Sequence, residues 1–268
     1  HGNRDQWNNE TIDGRSVNEN DHTLYNDIIS QYGEDSDQAR VEVYGKFPRQ
    51  GDYQFIGRGD VDDAIAREAV DDPGAALVMG VDPARYGDDS AVIAYRIGRD
   101  ASSIPFERYK SCSITELAEH VARGIEKYKP NAVFVEGDGV GGGVVDVLKD
   151  NNFNIIEVKT GGGAQDKDAY ANHRTEMWGR VRDWLPTASL PDIKELADDL
   201  CGPMYDFNLK GQLKLEPKEK MKKRGHASPD FADALAVTFS RVIGRTDATT
   251  GRSRRRQVAN DMDYDMFG

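Results

Sequence analysis

Apolar positions are distributed unevenly along the chain. Residues 1–40 are rich in Asn, Asp and Glu and sustain almost no apolar period, apart from a short helical pattern over Leu24–Gln31. Val41–Phe47 reads as a short strand ended by Pro48, and Asp60–Val70 as a helix closed by Pro73-Gly74. From Ala75 the pattern becomes orderly. Continuous apolar runs predict strands over Ala75–Val81, Ala91–Ile97 and Ile104–Cys112. A helix follows over Ile114–Lys129, entered through Ser113 with Glu116 three residues on, the spacing of a capping box. Then come a buried-type strand (Ala132–Val135), a glycine-rich turn, a helix (Val144–Lys149) and a strand (Asn154–Val158). Helical periods recur over Ala169–Trp184 and Ile193–Leu200, and Phe207–Leu215 reads as a hairpin turning at Lys210-Gly211. The last helix starts at Ser228-Pro229-Asp230 and runs to about Ile243. Three strands followed by alternating helix and strand predict an α/β fold. Its sheet is mixed, antiparallel first and parallel later, with helices on its faces.

Composition narrows the class. A chain of 268 residues buries roughly 70–75% of its extended surface, so a core forms without staples. No apolar run reaches the ~18 residues of a membrane span, and no signal peptide is visible. Cys112 and Cys201 stand far apart with no metal-like spacing, which suits a reduced compartment. The net charge of −12 argues against a nucleic-acid partner. Net charge describes the whole surface rather than one groove, however, and basic residues cluster at Lys210–Arg224 and Arg252–Arg256.

Candidate chemistry lies in three acids. Asp82 ends the first core strand in "ALVMGVDPARYGDDSAVI"; Glu136 ends another in "NAVFVEGDGVGGG"; Asp230 opens the last helix in "SPDFADAL", with Asp233 three positions on. The first and fourth strands of such a sheet are neighbours, and a helix packed across it delivers Asp230 to the same point. Converging carboxylates repel unless balanced, and two divalent cations with hard oxygen ligands, Mg²⁺ or Mn²⁺, supply that balance. The glycines after Glu136 allow a phosphate backbone to approach. Each acid also has a plainer reading, as a turn residue, a cap or a group favoured by a helix dipole. "GDGVGGG" matches neither common nucleotide-phosphate loop.

The ordered stretches "GVDPARYGDDSAVI", "FVEGDGVGGGVVDVL", "NHRTEMW" and "HASPDFADALAVTF" together resemble the C-terminal nuclease domain of tailed-bacteriophage terminase large subunits, over roughly Asp60 to Ile243. The resemblance implies a ribonuclease H-like fold. It implies a metal-dependent endonuclease that cuts double-stranded concatemeric viral DNA during packaging, in the host cytoplasm. The expected mechanism is in-line attack by a metal-activated water, with Asp82 bridging two ions and Glu136 and Asp230 completing their shells. Asp233 enters as an auxiliary ligand and Asp138 as a lesser alternative to Glu136. Two departures from the family pattern stand out: Glu136 is commonly Asp, and Pro229 precedes Asp230 where many members carry another Asp. The implied partners are DNA, an ATPase motor, a small terminase subunit and the capsid portal, with no membrane. The chain carries no Walker A loop. The expected organisation is therefore a polar junction at 1–58, a nuclease domain at 59–245 and a disordered tail at 246–268.

DNA-contacting candidates are Arg85, Arg174, Lys220, Lys222, Lys223, Arg224 and His226. Against them stand ordinary roles: a solvated charge run for the lysines, an ion pair for Arg174, a loop histidine for His226. Asp88 and Asp89 read as a turn or as outer-shell ligands, and Trp178 as core. Two other function classes remain open. One is a different ribonuclease H-like enzyme, a Holliday-junction resolvase or transposase core. The other is a non-catalytic module docking on the portal or motor.

Overall fold

The computed structural model describes residues 23–32, 34, 39, 43–44, 53–84 and 89–245. Strands β1 (Leu77–Asp82), β2 (Ser90–Ile97) and β3 (Glu107–Lys110) form an antiparallel meander, and β4 (Ala132–Glu136) and β5 (Ile156–Val158) continue the sheet in parallel on the other side of β1. The order is β3-β2-β1-β4-β5, so β1 and β4 are neighbours as expected from the run of elements.

Earlier in the chain lie helices α1 (Thr23–Tyr32) and α2 (Arg58–Ala66). Helices α3 (Ile114–Tyr128) and α4 (Gly141–Asp150) supply the crossovers that parallel neighbours require. The capping box at the start of α3 is complete, with Glu116 N–H donating to Ser113 Oγ at 3.2 Å and Ser113 N–H to Glu116 Oε2 at 2.9 Å. Both helices cover the face made by Met79, Val81, Ile93, Tyr95, Val133 and Val135. The opposite face, made by Val78, Val92, Ala94 and Phe134, packs against α5 (His173–Trp184), α6 (Lys194–Cys201) and α8 (Asp230–Val237). Between α6 and α8 come a small hairpin, β6 (Tyr205–Phe207) and β7 (Leu213–Leu215), and the short helix α7 (Lys218–Lys223).

All eight residues of α8 are buried, as befits a helix that is apolar almost all round. Its close approach to the sheet depends on Gly80, where a Cβ would stand 2.4 Å from Ala234 O.

Several elements differ in extent from the sequence pattern. Helix α2 stops at Ala66 because Arg67 turns to Leu185 O and Ala188 O, while Val70 N–H donates to Ser189 Oγ. Helix α4 begins at Gly141, three residues early, so the glycines are its first turn and not a separate loop. A Cβ at Gly141 would meet Glu136 O at 1.8 Å; what closes on this glycine is the protein's own backbone. Helix α8 ends at Val237, six residues before the pattern does. Arg96 and Arg180 take the carbonyls of Thr238, Phe239 and Ser240 there. The basic run expected to be loop contains α7. The strand at Val41–Phe47 falls largely outside the described residues, as do most of the junction and the tail. Phe55 and Ile56 are buried in the α8-side core, so the packed unit begins before residue 59.

Candidate metal centre

Side chains alternate along a strand, and this fixes where two of the acids point. Val78 and Gly80 face α8, so Asp82 does too; Ala132 and Phe134 face the same side, and so does Glu136. Val81 pairs with Val135 in the parallel register, which makes Asp82 and Glu136 the next residues along adjacent strands. Glu136 discourages ionisation of its neighbour and so helps to raise Asp82. Across them lies the first part of α8, held down at Gly80.

The acid that α8 delivers to this point is Asp233. Lys218 Nζ, from the start of α7, lies 2.8 Å from Asp233 Oδ2 and 3.8 Å from Asp82 Oδ2. Arg174 Nε donates to Asp233 Oδ1 at 3.1 Å and Trp178 Nε1 to the same oxygen at 2.8 Å. Asp233 is buried, which opposes ionisation. The charges of Arg174 and Lys218, with the hydrogen bonds from Lys218 and Trp178, outweigh this and bring it down to about 2. Asp82 goes the other way. Burial pushes its carboxyl well above the usual range, helped by Glu136 and Asp233 and opposed by Lys218. Lys218 itself is held charged: burial opposes this, but Asp233, Asp82 and Glu136 raise it above an ordinary lysine.

Asp230, expected to complete the set, is held by different partners from Asp233, though the charge of Lys218 acts on it too. At the first position of α8 its Oδ2 accepts the Ser90 N–H at 2.6 Å, at the start of the neighbouring strand β2. Asp233 is one turn deeper and reaches the end of β1. Burial raises Asp230, against the hydrogen bonds from Ser90 and Ser228 and the charge of Lys218. Beneath the same helix start, Asp199 accepts the Phe231 N–H at 3.0 Å. Burial first, then Asp230 and Asp233, push Asp199 up to about 8 against its backbone hydrogen bonds.

The remaining candidates divide. Asp138 is exposed and turns to the next loop, accepting the Thr160 N–H at 2.8 Å and the Gly161 N–H at 3.1 Å. Those donors lower its carboxyl although burial opposes them. Arg174 is spent on Asp233 and Glu216 O. Arg224 binds Glu216 and Gly202 O, and His226 Nε2 lies 3.1 Å from Arg224 Nη1. Lys222 pairs with Asp89 at 3.0 Å. Lys220 and Lys223 point to solvent. Arg85 and Asp88 lie outside the described residues.

Sequence reasoning had Lys218 only as one of a basic run and Trp178 only as core. The signal for Asp233 was present in the Asp-x-x-Asp spacing, but which aspartate faces the strands depends on where α8 starts.

Among the described residues no three His, Cys, Asp or Glu side chains already stand at metal-holding distances. The donor set nonetheless suits a hard divalent cation, since it offers carboxylate oxygens from Asp82, Glu136 and Asp233. A cation, the Lys218 ammonium, already lies among them.

The mixed sheet, with acids ending β1 and β4 and a third on a helix packed across them, defines a ribonuclease H-like domain. Residues 79–241 match the family described as terminase RNaseH-like domain, and the chain belongs to that family. A probable terminase large subunit of Enterobacteria phage P7 is 24% identical over 235 residues, covering 79% of this chain and 46% of that protein. The chain thus spans about half the length of this relative. Two solved structures share the fold. A mutant nuclease domain of the large terminase subunit gp2 of bacterial virus Sf6, with manganese and β-thujaplicinol, has a TM-score of 0.61 at 20% identity, over 71% of this chain and 99% of that one. The large terminase nuclease of thermophilic phage G20c, with bound magnesium, has a TM-score of 0.54 at 14% identity, over 71% and 98%.

Proposed function

We propose that this domain is a divalent-metal-dependent endonuclease that cleaves double-stranded DNA, and that Asp82, Glu136 and Asp233 hold its cations. The observation that carries this is the gathering of three acids from β1, β4 and α8 around one ammonium group. A pair of bound Mg²⁺ or Mn²⁺ ions activates water and stabilises the leaving oxygen of a phosphodiester. The chain's own contribution is placement. Asp82 and Glu136 stand on adjacent strand ends, and Arg174 and Trp178 fix Asp233 opposite them. Lys218 balances the acids in the metal-free chain, and a cation held by the carboxylates would take over that balance. The Sf6 and G20c nuclease structures were determined with manganese and with magnesium, which supports this choice of ions. Within this reading the substrate is concatemeric viral DNA in the host cytoplasm. The partners are then an ATPase motor, a small terminase subunit and the capsid portal.

One observation favours a second reading. An acid cluster already neutralised by Lys218 is also what a purely structural ion-pair network contains, and that would suit a docking module. Plasmid nicking with Mn²⁺, Mg²⁺ or chelator separates the two. We expect Asp82→Asn to keep the fold and lose more than ~100-fold of Mn²⁺-dependent cleavage, since even outer-shell changes cost 10–100-fold. Unchanged cleavage in that variant removes Asp82 from the mechanism. Absence of calorimetric Mn²⁺ binding to the wild type supports docking.

A further inference from the structure

Thr160, two residues beyond β5, bridges Glu136 of the acidic centre and Asp138 beside it. Its Oγ1 lies 2.9 Å from Glu136 Oε1 and 2.7 Å from Asp138 Oδ2. A hydroxyl carries one proton, so it donates to one of these carboxylates at a time. The Thr160 N–H also donates to Asp138 Oδ2 at 2.8 Å, and the Gly161 N–H to the same oxygen at 3.1 Å. Asp138 therefore fastens this loop at one point. On the other side, Thr160 O accepts the N–H of Arg174 at 3.0 Å, and the next turn is tied by His173 N–H to Gly162 O at 2.9 Å. Arg174 is the residue whose guanidinium holds Asp233 at 3.1 Å. A continuous path thus runs from Glu136 on the sheet, through Thr160 and Arg174, to Asp233 on α8. Two acids mounted in different layers are thereby linked through two residues, Thr160 and Arg174. Threonine suits the place because its branched Cβ restricts χ1 and so holds the hydroxyl in direction.

We infer that Thr160 is a positioning residue that sets Glu136 relative to Asp233, and that Asp138 serves as the anchor of Thr160. The inference rests on reading Glu136 and Asp233 as cation ligands. Thr160→Val removes the hydroxyl but keeps the shape, the N–H and the carbonyl. In that variant Mn²⁺ affinity measured by calorimetry falls ~10–100-fold, the range seen when the partner of a metal ligand is lost. Thr160→Ser recovers most of it. Asp138→Ala speeds amide hydrogen exchange at Thr160 and Gly161. In the double variant with Thr160→Val, the loss of affinity is smaller than the two single losses combined, as expected of residues in one network.

A metal-free measurement stands beside these. At fixed pH, the side-chain carboxyl carbon resonance of Glu136 shifts in Thr160→Val and returns in Thr160→Ser. An unshifted resonance, or wild-type Mn²⁺ affinity in a folded Thr160→Val, overturns the inference. If the wild type binds no Mn²⁺, the cation reading fails and the Glu136 resonance alone decides on Thr160. Thr160→Ala takes the place of the valine variant should thermal unfolding show the latter misfolded.

Discussion

The residues of the centre are held by opposition of charge. Asp233 is pinned ionised by Arg174, Lys218 and Trp178, while Asp82 is driven toward its protonated form by burial and by its acidic neighbours. The single ammonium of Lys218 compensates for more than one acid. Lys218→Ala should therefore destabilise the metal-free chain by on the order of 2 kcal/mol. That is less than the ~3–5 kcal/mol of breaking a fully buried pair, because this side chain keeps 31% exposure. Mn²⁺ should then stabilise the variant more than it stabilises the wild type, since no resident cation has to move. Thermal unfolding with Mn²⁺ and with chelator reads both effects, and equal Mn²⁺ shifts in the two proteins would count against Lys218 as the resident counter-ion. Ligand carboxyls must lose their protons to bind metal, so Mn²⁺ affinity should climb with pH as the raised Asp82 ionises. The pairing of Asp82 with Glu136 was readable from the sequence, because alternation and strand order depend on local pattern. The roles of Lys218 and Trp178 were not, since they act on Asp233 across 15 and 55 residues of chain.

At the scale of elements, the decisive contact is α8 on β1. Gly80→Ala places a methyl 2.4 Å from Ala234 O and 2.7 Å from Thr238 Cγ2. The helix must lift, and overpacking of this kind costs ~1–3 kcal/mol. Chemical denaturation should show that loss, together with weakened Mn²⁺ binding as Asp233 moves away from Asp82. The start of α8 also carries a pH signature. Asp199 has a folded pKa raised to about 8 against ~3.9 when unfolded, so the folded state holds the extra proton between those values. Its stabilisation is complete below about pH 4 and is lost as pH rises toward 8. Asp199→Asn keeps an acceptor for the Phe231 N–H and should flatten that part of the stability–pH curve; an unaltered slope would exclude Asp199 as its source. Asp233 contributes the opposite trend, with stability present above about pH 4 and lost as pH falls toward 2. The main strands and α3 were legible from periodicity and capping. The ends of α2 and α8 were not, because Ser189, Arg96 and Arg180 reach them from elsewhere in the chain.

For the whole molecule, a net charge of −12 sets the terms on which DNA is met. The basic side chains nearest the centre are mostly committed: Arg174 to Asp233, Arg224 to Glu216, Lys222 to Asp89. Lys220 and Lys223 are exposed lysines on α7, the helix that begins with Lys218. Lys220→Glu with Lys223→Glu should lower DNA affinity several-fold and reduce its salt dependence, since each lost phosphate contact removes ~0.9 from the log–log slope. Mn²⁺ affinity should stay unchanged. Gel-shift titrations across salt concentrations test this, and an unaltered slope would move the DNA path away from α7. The sequence by itself determined the mixed sheet, the adjacency of β1 and β4, the two acids at their ends and the resemblance to a nuclease family. These follow from continuous apolar runs, their order along the chain and short-range signals carried within each segment. Only the tertiary structure decided that Lys218 lies between Asp233 and Asp82, and that Gly141 of α4 packs on protein backbone. Each of those outcomes depends on how closely one layer settles on another, a distance set by Gly80, Gly141 and partners far along the chain.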